Sequence, residues 1–237
     1  MGTELPHQDP LSRAALAVSA AEGSPVFDRL ASELADILRV DVGFIAVYAD
    51  EVRAGMRMLA FCLDGRMRPP FSYPLQGTPC AQVVGRQFLC LPAGARREFP
   101  DNDLFRKLEV DSYAAYPLTD AAGQPLGLIG AMHRGRLDNV ALCESILKIF
   151  GVRAVVEIER SEEQYRAIFN AAADSMVLRD ADFRVVDVNP AYEAMSGRSR
   201  AEVLGRDVLT MSPLALNEHV RGLHARALAG EKVMFES

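Results

Sequence analysis

Four cysteines, Cys62, Cys80, Cys90 and Cys143, are the side chains in this sequence best suited to covalent or redox chemistry. No two stand in a Cys-x-x-Cys spacing, so neither zinc binding nor thioredoxin-type exchange is indicated. Cys80 follows Thr78-Pro79 at the expected start of a helix, where backbone N–H groups lower a thiol pKa and favour the reactive thiolate. A small apolar residue packed beneath a pocket is the plainer reading of the same position. Cys80 and Cys90 would act as a redox pair only if the fold brought them together. In a reducing compartment all four are expected as free thiols.

Other reactive types are sparse. His133 ends an apolar run; as a lone histidine it is a candidate haem ligand or hydrogen-bond partner, with a satisfied strand-end residue as the alternative. His219 and His224 are five apart and share no helix face cleanly, which argues against a metal site. Asp180, Asp182 and Asp187 cluster around one turn, and aspartate is ordinary there. Asn189 precedes Pro190 and reads as a helix cap. No GxxxxGK[ST] phosphate loop, GxSxG elbow or HExxH pair is present. Nor is there a kinase acceptor-histidine box, a cyclase signature or a receiver aspartate constellation. The sequence therefore predicts no catalytic residue and no metal, and identifies no cofactor.

The elements that must hold these residues follow from periodicity. Leu11–Ala21 reads as a short helix and the segment from Pro25 to about Arg39 as a second, capped by Ser24 with Pro25 at its first position. Its stripe is Val26, Leu30, Leu34, Ile37 and Leu38. Strands are predicted at Val42–Tyr48, Met56–Leu63, Phe88–Leu91, Ser112–Leu118 and Leu126–Met132. Phe71–Leu75 leads into a short helix capped by Thr78 and continuing through Val84. Pro92–Asp101 reads as loop, and Leu104–Leu108 as a helical turn. From Asn139 to Arg160 two apolar stripes, one through Cys143, Leu147 and Phe150 and one through Ile146, Ile149, Val152 and Val156, predict a long helix. It runs on to Ala173 without a Pro or Gly break, and so wide an apolar face can pack on its own domain and on a partner. Two alternating runs around Arg179–Asp182 predict a hairpin, followed by a helix from Pro190 that Gly197 ends.

The bulk properties fit a soluble globular chain of one or two domains. Of 237 residues, 49% are hydrophobic and 24% charged, with a net charge of −6 and no basic stripe. That argues against nucleic-acid binding. No apolar run reaches membrane-spanning length. The polar, acidic start MGTELPHQDP lacks the marks of a signal peptide, so a cytoplasmic location is expected.

The string Tyr73-Pro-Leu-Gln-Gly-Thr-Pro-Cys80, with Tyr113–Leu118 and Pro125–Gly130 as paired final strands, resembles the GAF domain over residues 20–160. Asp174–Gly205, with its Asn-Pro-Ala-Tyr and Glu-Val-Leu-Gly signposts, resembles the opening half of a PAS domain. The resemblances imply an α+β fold: a GAF-like antiparallel sheet flanked by helices, a long connecting helix, then a partial PAS-like α/β domain. The expected division is a lead-in and short helix at 1–19, a sensory domain at 20–160 and a PAS-like domain at 161–237. That last domain is expected to stop near the first of its three C-terminal strands.

Such domains imply a ligand pocket lined by Phe61, Tyr73, Leu75, Thr78, Cys80 and Val83, with Tyr113, Tyr116, Met132 and His133. In the second domain Met176, Asn189, Tyr192 and Met195 would face the cavity. An apolar stripe serves plain core equally well. Signatures of particular GAF ligands are missing. Asn102, Phe105 and Lys107 lack the order of the cyclic-nucleotide motif, and neither the Asp-Ile-Pro string nor the Cys-His pair of bilin binders is present. No flavin-photoreceptor string appears in the PAS part. The implied function is a small-molecule-sensing and dimerisation module of a bacterial signal-transduction protein. Self-association would run through the N-terminal and connecting helices. A histidine kinase or cyclic-di-GMP output domain would lie beyond the sequence. A ligand-free dimerisation spacer and a cysteine-based GAF-fold redox enzyme are the alternatives.

Overall fold

A computed structural model describes residues 9–20, 25–49, 53–180, 184–207, 222–223, 225–227 and 230–231. The chain divides into two units, Met1–Arg160 and Ser161–Ser237. Among the described residues no helix is long and apolar enough to cross a membrane. His219, His224 and Asp182 lie outside the described residues, as does Ser24.

The first unit is built on one antiparallel sheet. Helices α1 (Pro10–Ala20) and α2 (Val26–Leu38) precede strands β1 (Val42–Tyr48), β2 (Gly55–Leu63), β3 (Arg66–Met67) and β4 (Ser72–Pro74). A 3-10 turn (Pro79–Gln82), β5 (Leu89–Leu91), α3 (Ala95–Glu98) and α4 (Asp103–Lys107) lead to β6 (Ser112–Thr119) and β7 (Pro125–His133). Helix α5 (Val140–Ala171) follows. The sheet order is β3-β2-β1-β7-β6-β5, with β4 pairing onto β2. Every pairing is antiparallel, so alternate side chains along each strand go to opposite faces.

Helices cover one of those faces. Ile45, Ala114, Leu118 and Ile129 pack with Leu30 and Leu34 of α2 and with Cys143, Ile146, Leu147 and Phe150 of α5. The period of 3.6 in α5 delivers these residues to one side and leaves Val152 and Val156 at 64% and 49% exposure. Gly43 lets α2 lie close on β1: a Cβ there would sit 2.1 Å from the Ala31 carbonyl oxygen. The opposite face, with Phe44, Met58, Tyr113 and Met132, is covered by the short segments between β3 and β6.

Several local expectations need correction. Pro25 is itself the N-cap of α2, with extended backbone, and the helix starts at Val26. The segment after Thr78 makes one 3-10 turn and does not run on through Val84. Thr78 stands at its N-cap position, yet its hydroxyl donates backward to the Leu75 carbonyl at 2.7 Å instead of accepting from the turn. Residues read as loop after Pro92 contain the helical turn α3. Strand β3 was not anticipated, because two residues carry no periodicity.

In the second unit, β8 (Val177–Arg179) and β9 (Val185–Val188) form a hairpin, followed by α6 (Pro190–Ser196) and α7 (Arg200–Val203). Gly197 ends α6 in the left-handed region at φ 68°, where glycine carries no Cβ penalty. Ser199 and Glu202 form a capping box that starts α7. Val185, Val188 and Val203 make a small core with Val177, Tyr192 and Leu204 packed on it.

Candidate functional site

The loop-covered face of the first unit encloses a cavity of about 680 Å3. Its floor is the sheet, which supplies Phe44 from β1, Met58 from β2, Tyr113 from β6 and Met132 from β7. These four share a face because strand side chains alternate and the strands pair in register, Tyr113 lying opposite Met132. Gly130 makes room for one of them, since a Cβ there would meet the Phe44 ring at 2.5 Å. One wall is Phe71 and Tyr73, the first resting edge-on against Phe61 at 5.4 Å between centroids. The other wall is α4. Asn102 caps that helix by accepting from the Phe105 amide at 3.1 Å, and this aims the buried Phe105 ring to within 5.8 Å of Tyr113. Asp101, Asp103 and Lys107 put charge at the rim, all from this one segment.

Three polar side chains of the cavity form a short chain. The Tyr73 hydroxyl donates to Cys80 Sγ at 3.3 Å, and the same sulfur contacts the Tyr113 hydroxyl at 3.4 Å. Burial pushes the Cys80 thiol up, and it pushes both phenols up as well, with Cys80 as a further cause in each. All three groups therefore stay protonated and neutral near pH 7. The expected lowering at a helix N-terminus is overwhelmed: a single 3-10 turn carries little dipole, and desolvation dominates.

Five residues expected at a ligand site do line the cavity, namely Tyr73, Thr78, Cys80, Tyr113 and Met132. Phe61, Leu75 and Val83 stand behind them in the same core, one layer away. Tyr116 is a correction. It lies three residues from Tyr113 on β6, an odd step that turns it to the helix-covered face. His133 is a second correction, because it follows Met132 by one residue and so points away from the cavity. Its Nδ1 sits 2.7 Å from Asp41 Oδ2. Asp41 also accepts from the Arg134 amide and guanidinium, and that guanidinium forks onto both Asp64 oxygens.

The proposed Cys80–Cys90 pair does not form. Cys80 is buried on the cavity face, whereas Cys90 lies on the helix-covered face, between Leu89 and Leu91 that point the other way. The thiol that Cys90 influences is Cys143 of α5, pushed up to about 12, first by burial and then by Cys90. Sequence reasoning missed Phe44, Met58, Phe71 and Phe105 as lining residues. The Asn102 cap signal was the clue to Phe105, and strand alternation from Ala46 was the clue to Phe44.

In the second unit Asn189 is fully buried and its polar atoms are all engaged. Its Oδ1 accepts from the Met176 and Tyr192 amides at 2.9 and 3.0 Å. Its Nδ2 faces the carbonyls of Phe169, Ala172 and Asp174 at 3.2, 3.4 and 2.9 Å. It joins the end of α5 to the start of α6 and has no polar atom to spare for a ligand. Met176 and Met195 are 41% and 71% exposed, and Tyr192 packs half-buried on the small valine core. Asp180 accepts from the Arg184 amide within its turn, and Asp187 accepts from Arg200 Nε at 2.6 Å.

The GAF-domain family profile matches residues 23–158, and a PAS-domain profile matches residues 163–229. Among solved structures, the GAF domain from an Acinetobacter phosphoenolpyruvate-protein phosphotransferase superposes with a TM-score of 0.53 at 17% identity. That match covers 66% of this chain and 94% of the other. The chromophore-binding domain of an unusual bacteriophytochrome from R. palustris gives a TM-score of 0.51 at 11% identity, over 65% of this chain and 62% of that one. At such identities the likeness is one of fold. No curated protein matches the sequence.

Proposed function

The chain belongs to the GAF domain family through residues 23–158, with a PAS domain at 163–229, and from that premise we propose that it senses a small molecule in the GAF cavity and passes the state of that site along α5. Both domain types belong to sensory and signalling modules. The observation that carries the reading is the contrast between the 680 Å3 aromatic cavity on one sheet face and the filled core on the other. Pockets that bind small molecules are concave and mostly apolar with a few placed polar groups, and this one has Tyr73, Cys80 and Tyr113 in that role.

Self-association through α1 and α5 is part of the same proposal. The exposed Leu11 and Leu16 on α1 and Val152 and Val156 on α5 support it. In this reading residues 20–160 sense, residues 161–237 relay, and the output is of the histidine-kinase or cyclic-di-GMP class. The chain itself performs no chemistry, in keeping with a cavity whose thiol is held protonated.

Native mass spectrometry of the chain purified without denaturation tests the proposal. We expect a dimer mass carrying a small adduct that denaturation releases. The adduct should be missing from Leu104→Trp, which pushes a large ring into the cavity from α4. A bare wild-type mass identical in behaviour to that variant would sink the sensor reading, and a monomer mass would sink the dimer.

A further inference from the structure

Resting on that reading, we propose that the cavity takes an uncharged, planar aromatic ligand that donates one N–H or O–H to the Tyr73 oxygen. Shape and polarity come first. The rings of Phe44, Phe71, Tyr73, Phe105 and Tyr113 all face the same 680 Å3 space. They meet one another at tilted angles, as with Phe71 and Tyr73 at 46° and Phe105 and Tyr113 at 50°. A flat π-system slotted among tilted rings gains offset and edge contacts that an aliphatic ligand of equal area does not.

Charge is excluded next. The charged lining residues all belong to Asp101–Lys107 and sit at the rim. A ligand charge carried inward would lose its hydration and meet only neutral groups. Hydrogen-bond direction then narrows the chemistry. Tyr73 has one proton, and it is given to Cys80 Sγ. Among the described residues no hydrogen bond is given to the Tyr73 oxygen, so this cavity-lining residue keeps acceptor capacity for a ligand. A ligand that brings a donor completes that phenol, whereas one bringing only acceptors finds its proton already committed.

Three indoles test this on the intact chain: indole, 1-methylindole, which keeps the ring but lacks the N–H, and indole-3-acetate, which adds a carboxylate. The protein has no tryptophan, so indole emission reports the ligand alone. We expect indole to bind about tenfold tighter than 1-methylindole, the usual size of one well-made hydrogen bond. Tyr73→Phe should erase that difference, bringing indole and 1-methylindole to equal affinity. Indole-3-acetate should bind at least about tenfold more weakly than indole, since its carboxylate meets no cation inside the cavity and at the rim meets Asp101 and Asp103 beside the one Lys107. Equal affinity for indole and 1-methylindole in the wild type would overturn the donor assignment. Tightest binding of indole-3-acetate would overturn the exclusion of charge. Binding of none of the three would overturn the ligand class. The native mass spectra then separate the two ideas: an adduct of other chemistry, present in the wild type and absent from Leu104→Trp, leaves the pocket reading standing, and bare masses for both remove it too.

Discussion

The two faces of the GAF sheet draw on the same strands and end with opposite interiors. Along β6, Tyr113 and Ala115 go to the cavity face while Ala114 and Leu118 go to the helix-covered face. The difference lies in what closes each side. Helices α2 and α5 are long enough to present continuous stripes with 3.6-residue spacing, and such stripes fill a sheet face to native density. The 3-10 turn, α3 and α4 are four or five residues each. Segments that short place single rings such as Phe105 but cannot tile a surface, so space is left between them. A sheet thus becomes a scaffold on one side and a binding site on the other by the length of its covering elements.

Truncation on each side should break or sharpen that contrast most strongly. Phe150 is fully buried where α5 meets the sheet. Phe150→Ala should cost about 3–5 kcal/mol, because a tight core cannot collapse around the hole. Met58 is just as buried by area but borders empty space, so it has contact partners on fewer sides. Met58→Ala should cost about 1–2 kcal/mol. Urea midpoints of the two variants measure this directly; equal losses would mean the cavity face is as filled as the helix face.

Titration probes the same contrast with a smaller effect. Tyr73, Cys80 and Tyr113 all keep their protons to higher pH in the folded chain than in the unfolded one. Stability from a raised pKa is present below the unfolded value, 9.0 for the thiol and 10.0 for the phenols, and is lost as pH climbs toward the folded value. Cys143, raised to about 12 on the helix face, acts with the same sign. We expect urea midpoints to be level through neutrality and to fall above about pH 9. Joint replacement Tyr73→Phe and Tyr113→Phe should reduce the fall by removing the phenols' share and leaving those of Cys80 and Cys143. An undiminished fall would place the alkaline sensitivity elsewhere.

Thiol labelling at neutral pH asks which face opens first. Cys90 is half-buried, whereas Cys62, Cys80 and Cys143 are buried. One thiol should react quickly with a soluble disulfide reagent and three slowly, and indole should slow Cys80 further. A fast Cys80 would restore the reactive-thiol reading that burial argues against.

Much of this fold was legible because its elements announce their period. The stripe through Cys143, Leu147 and Phe150 and the alternating runs of β1, β6 and β7 each repeat often enough to predict a face. Asn189 and Gly197 were legible for another reason: caps are local chemistry and need no tertiary partner. The cavity was legible only in part. Tyr73 to Cys80 stand close in sequence, so a motif captures them together. Phe44, Met58 and Phe105 arrive from three distant segments, and only strand pairing and the Asn102 cap bring their side chains to one place. Tyr116 was misplaced by reading proximity along a strand as proximity in space, although an odd step reverses the face. The single turn α3 was read as loop and Pro79–Gln82 as a longer helix, because four residues are too few to repeat a helical period.

The smallest expected effect is the most discriminating one for the position of the site. Met132 and His133 are neighbours in sequence, and the pleat sends them to opposite sides. Met132 lines the cavity, while His133 meets Asp41 beside the Arg134–Asp64 fork at the end of the sheet. That cluster is partly solvent-exposed, and exposed ion pairs contribute about 0–1 kcal/mol. His133→Gln keeps a hydrogen-bonding side chain there, so urea midpoints should shift by no more than about 0.5 kcal/mol. Indole affinity should not move at all. Met132→Ala, one residue back, should weaken indole severalfold because it removes part of the floor on which the ring lies. If His133→Gln weakened indole as much as Met132→Ala, the ligand would sit at the sheet end rather than on the aromatic face. The alternation of β7 would then have been assigned to the wrong side.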